Sequence, residues 1–152
     1  MTMGAIMVRR ATVDDAEAIG VLFDEYRQFY GQTSDRALAT GFIHERLQRG
    51  ESIVLVAGSA RQPMSGFCQV YPTFCSVAAA PIFILYDLYV RRDARRHGMA
   101  KALLLAARDE AVSAGVARMD LQTARTNAPA RALYESLGWA LDTTFDTYHL
   151  GL

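Results

Sequence analysis

Leu88-Tyr89-Val90-Arg91-Arg92-Asp93-Ala94-Arg95-Arg96-His97-Gly98-Met99-Ala100-Lys101-Ala102-Leu103-Leu104 joins two apolar segments of different period through a basic turn. Upstream, Ile82 to Val90 is rich in branched and aromatic residues and reads as a buried strand, while Ala100 to Ala114 downstream reads as a helix. A strand-turn-helix of this kind leaves several backbone N–H groups without acceptors at the positive end of the helix dipole, so it can hold an anion, above all a phosphate. Gly98 lets the backbone approach that anion closely, and Ala100 does so almost as well. Two other phosphate loops do not fit. A nucleoside-triphosphate loop needs Gly-Lys-Ser/Thr, but here Lys101 is followed by Ala102. A dinucleotide fingerprint needs three glycines, and this turn has Gly98 alone.

Composition narrows the class. At 152 residues the chain reads as a single domain, 1–152, long enough to bury about two thirds of its unfolded surface. Sixteen basic and sixteen acidic residues cancel, which argues against a nucleic-acid or membrane-surface binder. The charge is nevertheless uneven: four arginines fall between Arg91 and Arg96, which reads as a solvated turn or, given the neighbouring Gly98, as the seat of an anionic cofactor. Cys68 and Cys75 have opposite parity near one strand and suggest neither a disulfide framework nor a metal pair, and His44, His97 and His149 lack metal-ligand spacing. No metal is expected. With no signal peptide before Arg9 and Arg10, and with Val77 to Leu85 broken by Pro81, a cytoplasmic protein without a membrane anchor is expected.

Taken in order, Ile6 to Arg10 reads as a first strand, and Thr12 caps a helix reaching Tyr30, with Ile19, Leu22, Phe23, Tyr26, Phe29 and Tyr30 as its inward stripe. Ser34 is placed to cap a second helix, with Leu38, Phe42, Ile43 and Leu47 on one face. Strands follow at Ile53 to Ala57 and Gly66 to Phe74, joined by a hairpin loop. The third helix packs through Met99, Leu103, Leu104, Ala107, Ala111 and Val112 and stops at Gly115. Met119 to Thr123 is a fifth strand, Asn127 caps a fourth helix with Pro129 in its first turn, and Trp139 to Leu150 is a last strand. The fold class is therefore α/β in the order β-α-α-β-β-β-α-β-α-β, a mixed sheet with helices on both faces.

Arg95-Arg96-His97-Gly98-Met99-Ala100 fits the pattern Q/R-x-x-G-x-G/A, and Asn127-Ala128-Pro129-Ala130-Arg131-Ala132-Leu133-Tyr134-Glu135-Ser136-Leu137-Gly138-Trp139 fits N-x-x-A-x-x-L-Y-x-x-x-G-F/W. With these two motifs in this order the chain resembles the GNAT superfamily of acetyl-CoA-dependent N-acetyltransferases over essentially its whole length. Tyr71-Pro72-Thr73-Phe74 and Asp87-Leu88-Tyr89-Val90 are similar to a bacterial branch of mostly unassigned substrate. The resemblance implies a mostly antiparallel central sheet, a fourth strand bulged near Leu88 to Val90 that splays from the fifth, and acetyl-CoA as cosubstrate. Arg96 departs from the family, many members of which carry glycine there.

Acetyl transfer to an amine needs a held thioester, a neutral amine, donors for the oxyanion and a proton for the departing thiolate. The pyrophosphate is expected on the backbone N–H groups of Arg96, His97, Gly98, Met99 and Ala100, with Arg95 and Lys101 as charge partners. The resemblance implies that the pantetheine arm pairs along Leu88, Tyr89 and Val90, and that a backbone N–H of Tyr89 or its neighbour serves the oxyanion. Asn127 is a candidate contact to the cofactor arm as well as a helix cap. Tyr134 is the candidate general acid, since a phenol with a pKa of about 10 can protonate a thiolate of about 8.5; packing against the sheet is the competing role. Asp87, the one acid in the fourth strand, is the candidate general base; pairing with a nearby arginine or backbone group explains it equally well. Asp24, Glu25, Tyr26 and Tyr30, with Tyr71 and Phe74, are candidates for an acidic and aromatic rim that suits a cationic amine, although such stripes are more often core, and they stay outside the catalytic set. The expected activity is acetylation of a small amine or polyamine by direct attack. Acetylation of a protein lysine or N-terminus, and a non-catalytic acyl-CoA sensor, remain the alternatives, and a homodimer through the last strand is expected.

Overall fold

Gly66–Val70 is buried on both faces, which requires helices on each side of the strand. A computed structural model describes residues 4–152 and shows how this is met. The chain forms two compact units, one ending at Gln122 and the other being Thr123–Leu152. In the first unit β1 (Met7–Arg10), β2 (Ile53–Gly58), β3 (Gly66–Cys75), β4 (Ala80–Val90) and β5 (Met119–Leu121) lie side by side in that order. All neighbours are antiparallel except β4 and β5, which are parallel and joined by α3 (Met99–Ala114). That parallel pair follows from the strand-helix-strand order, because a helical crossover returns the chain in its original direction.

α1 (Ala16–Phe29) and α2 (Arg36–Gln48) cover one face, where Ile19, Leu22, Phe23, Ala39 and Ile43 close on Val54, Val56 and Phe67. Each fully buried Leu or Ile there contributes about 1.5–3 kcal/mol. Leu55, Cys68 and Val70 alternate to the opposite face, against which α3 packs with Met99, Leu103, Leu104, Ala107 and Ala111. Gly20 permits the close crossing of α1 and α2: a Cβ on it would stand 2.9 Å from the Thr40 Cα.

Several local expectations shift. Asp35, not Ser34, caps α2, accepting from the Leu38 N–H at 3.0 Å. Ser34 instead donates to Asp24, whose buried carboxylate also takes the Asp35 N–H. Thr12 opens a short 3-10 turn, Val13–Asp15, ahead of α1, and its N–H donates to Asp15. Val112, Phe29 and Tyr30 are exposed: Val112 stands off the buried stripe of α3, and Phe29 and Tyr30 lie at the C-terminal end of α1. Among the described residues no helix is long and apolar enough to cross a membrane.

The second unit contains α4 (Ala128–Ser136). Asn127 caps it by accepting the Ala130 N–H at 3.3 Å, and Gly138 follows its end with φ +91°. The expected strand over Trp139 to Leu150 does not form. A strand needs a ladder partner, and α4 is the one regular element this unit offers. Asp142 also accepts the Thr144 N–H in a local turn that interrupts an extended run.

Candidate active site

The ladder between β4 and β5 runs only from Phe83 and Met119 to Leu85 and Leu121. Beyond it the register against β3 shifts: Val70 pairs with Leu85 but Gln69 with Asp87, so Tyr86 is an extra residue in β4. Such a bulge bends its strand and increases the twist. It lies at Tyr86, just ahead of the Leu88 to Val90 segment where the family resemblance implied one. The Arg91 N–H donates to the Ser65 carbonyl, which sets the alternation: Tyr89 turns its backbone groups toward β3, while Leu88 and Val90 turn theirs to the open edge.

The turn that follows is exposed from Arg95 to Gly98. Gly98 is left-handed, with φ +83°, and brings no capping side chain to α3. The first α3 amides, Met99, Ala100 and Lys101, therefore face outward without intrahelical acceptors. Arg96 is also left-handed, at φ +66°. That conformation explains why glycine suits the position, and the arginine adopts it with its side chain exposed. Arg95 folds back onto β4: its Nε donates to the Val90 carbonyl at 2.8 Å and its guanidinium lies 5.6 Å from the centre of the Tyr89 ring. Exposed amides, a left-handed glycine and several cations suit a diphosphate at this turn.

Asp87 is buried beside the bulge, 6% exposed. Gln69 Nε2 donates to its Oδ2 at 2.8 Å, and the Tyr26 hydroxyl bonds the same carboxylate. No arginine pairs with it among the described residues, so the ion-pair reading of this residue falls. Burial pushes the Asp87 carboxyl above its ordinary range, against the pull of Gln69 and Tyr26. Around it, Tyr89 donates to Glu25 at 3.0 Å and packs on Tyr26, while Tyr71 packs on Tyr86. Burial, followed by the Asp87 charge, pushes the Tyr71 phenol up to about 12. The rim thus comprises Glu25, Tyr26, Tyr71, Tyr86 and Tyr89, with the exposed Tyr30 packed edge-on against Tyr26. Asp24 is instead committed to the connection between α1 and α2, and Phe74 lies at the far end of β3, strongly exposed.

Within the second unit, Tyr134 is half-buried on α4, its ring 6.3 Å from that of Trp139. Asn127 is confirmed as the cap. Gln69 was not singled out from sequence, although its signal was present: it is the lone polar side chain within Phe67 to Val70.

Residues 17–139 match the model of the Acetyltransferase (GNAT) family. The chain belongs to this family. The chain is 43% identical to the "Uncharacterized N-acetyltransferase YhfO" of Bacillus subtilis (strain 168), over 95% of its own length and 97% of that protein's. A crystal structure of a "probable acetyltransferase" superposes with a TM-score of 0.89 at 35% identity, covering 96% of this chain and 97% of that one. The "[Ribosomal protein bS18]-alanine N-acetyltransferase" of Escherichia coli (strain K12) is 40% identical over 43% of this chain and 44% of its own. The GNAT chain is accordingly an acetyltransferase enzyme, and its family generally uses acetyl-CoA.

Proposed function

We propose that this GNAT enzyme moves an acetyl group from acetyl-CoA to the primary amine of a small molecule or polyamine by direct attack. The observation that carries the proposal is the buried Asp87 carboxylate at the bulge, beside the open edge of β4. An amine with a pKa of about 10 arrives protonated, and Asp87 takes that proton directly or through water. Acetyl-CoA supplies an acetyl group already activated as a thioester. The N–H of Leu88 or Val90, at the open edge, donates to the charge developing on the acetyl oxygen, whereas that of Tyr89 is turned toward β3. Arg96, His97, Gly98, Met99 and Ala100 hold the diphosphate, with Lys101 adding charge, Arg95 fixing the turn to β4 and Asn127 contacting the cofactor arm. Glu25 with Tyr26 and Tyr89 suits a cationic acceptor.

Tyr134 is the proposed general acid, on the strength of its motif position. Tyr134→Phe is expected to lower turnover by about ten- to a thousandfold with acetyl-CoA affinity nearly intact. Steady-state kinetics beside calorimetric titration check this, and unchanged turnover removes Tyr134 from the mechanism. The family match crosses the boundary between the two units, which supports one catalytic domain over 1–152. Free Cys68 and Cys75 fit a reducing, cytoplasmic setting. Exposed Leu141, Phe145, Tyr148 and Leu150 suit a homodimer contact. Sedimentation of dilute protein is expected to give a dimer, and a monomer overturns that assignment.

A second reading, acetylation of a protein lysine or N-terminus, is favoured by the local likeness to the ribosomal-protein enzyme. Calorimetric titration with acetyl-CoA, followed by thiol release against polyamines, amino acids and basic peptides, separates the two. Release with small amines supports the first reading, and release with peptides alone supports the second. Absence of acetyl-CoA binding defeats both.

A further inference from the structure

We propose that Gln69 and Ser52 are positioning residues that hold the Asp87 carboxylate aimed and ionised for proton transfer. Gln69 is fully buried in β3, directly between Val54 of β2 and Asp87 of β4 in the ladder. A buried amide is costly unless both of its ends are satisfied. Here both are: Oε1 accepts from Ser52 Oγ at 2.8 Å, and Nε2 donates to Asp87 Oδ2 at 2.8 Å.

The orientation is fixed by chemistry. An ionised carboxylate only accepts, so Gln69 must turn its NH2 to Asp87 and its carbonyl away. Ser52, half-buried just before β2, supplies the donor that holds the carbonyl in that direction. Without Ser52 the amide can invert and set its carbonyl against the carboxylate. A donor on the carboxylate favours the charged form, while burial of Asp87 works against it. The other titratable or charged groups facing this site are Tyr26 and Glu25 from α1, Tyr71 from β3 with Tyr86 of β4 packed on it, and Tyr89 of β4 with Arg95 over its ring; the charges of Arg46 on α2 and of Glu51 ahead of β2 act on Tyr71. Through the sheet, Cys68 also feels the Asp87 charge. Of these, Tyr26 is a second donor to Asp87; Gln69 faces it straight across the ladder and is itself held from behind.

The inference rests on Asp87 being the base, and the test separates the two claims. The Asp87 carboxyl is titrated by carbon-13 NMR in the wild type, Gln69→Met and Ser52→Ala, with Asp87→Asn assigning the signal; kcat/KM is followed against pH with each folded variant. Gln69→Met is expected to raise the Asp87 midpoint, and the acid limb of kcat/KM with it, by about one pH unit, the size of a charge-assisted hydrogen bond expressed as a pKa shift. Ser52→Ala is expected to move both in the same direction by less. An unchanged Asp87 midpoint in Gln69→Met overturns the proposal. Should Gln69→Met fail to fold, Ser52→Ala decides alone by the same criterion. If Asp87→Asn keeps its turnover and its acid limb, the base assignment fails, while the carboxyl titration still reads what Gln69 does.

Discussion

Asp87→Asn is expected to lower kcat/KM by about a hundred- to ten-thousandfold, the range for loss of a positioned general base, while the protein keeps or gains thermal stability at neutral pH. The two effects have one cause. Burial raises the folded-state pKa of this acid above its unfolded value, so the folded protein holds the proton more tightly. Stability therefore falls as pH rises from the unfolded pKa of about 4 through the folded one, and above that window the ionised Asp87 is a cost to folding. Asparagine keeps the shape and an oxygen to accept from Gln69 Nε2, without the charge. The melting temperatures of the two proteins should coincide near pH 3 and diverge, with the variant higher, as pH approaches 7. Retained activity would remove Asp87 from the chemistry. A variant less stable at pH 7 would mean that the hydrogen bonds from Gln69 and Tyr26 outweigh the burial of the charge.

Most of the sheet and the helices were legible because their apolar periods are strong and their ends carry specific chemistry. Asn127 with Pro129, and Gly98 before α3, are local signals that need no tertiary information. What stayed hidden depends on partners. Trp139 to Leu150 carries apolar residues, Leu141, Phe145 and Tyr148 among them, that suit a last strand, yet a strand is defined by its neighbour, and its unit provides none. Val112 follows Ala111 in sequence but stands about 100° further round α3, off its buried stripe, and is exposed. The pairing of Gln69 with Asp87 follows from the extra residue at Tyr86, and a bulge is a property of two strands in register, not of one. The same register decides that Leu88 and Val90, not Tyr89, turn backbone groups to the open edge. Asp24 looked like part of an acidic rim because its neighbours on α1 are. It is drawn instead into the connection to α2 by Ser34 and the Asp35 N–H, residues ten and eleven positions along the chain.

Gly98→Val is expected to weaken acetyl-CoA binding by about a hundred- to ten-thousandfold, as loss of two charge-assisted hydrogen bonds would. Space within the protein is not the constraint: a Cβ on Gly98 would meet only Ile6 Cδ1, at 3.9 Å, an ordinary contact. The backbone is. At φ +83° a β-branched residue is strained by about 1–2 kcal/mol, and relief rotates the N–H groups that open α3 away from a common point. Arg96 shows that this turn tolerates one side chain in the left-handed region; it stands outside the helix, whereas Gly98 is the cap from which the first α3 amides diverge. The strain falls on the folded state, so a modest loss of stability should accompany the loss of affinity, and Gly98→Ala should show both to a lesser degree. Calorimetric titration with acetyl-CoA, performed well below the melting temperature of each variant, reads the affinity directly. Undiminished binding in Gly98→Val would place the diphosphate away from this turn, and the roles given to Arg95 through Lys101 would fall with it.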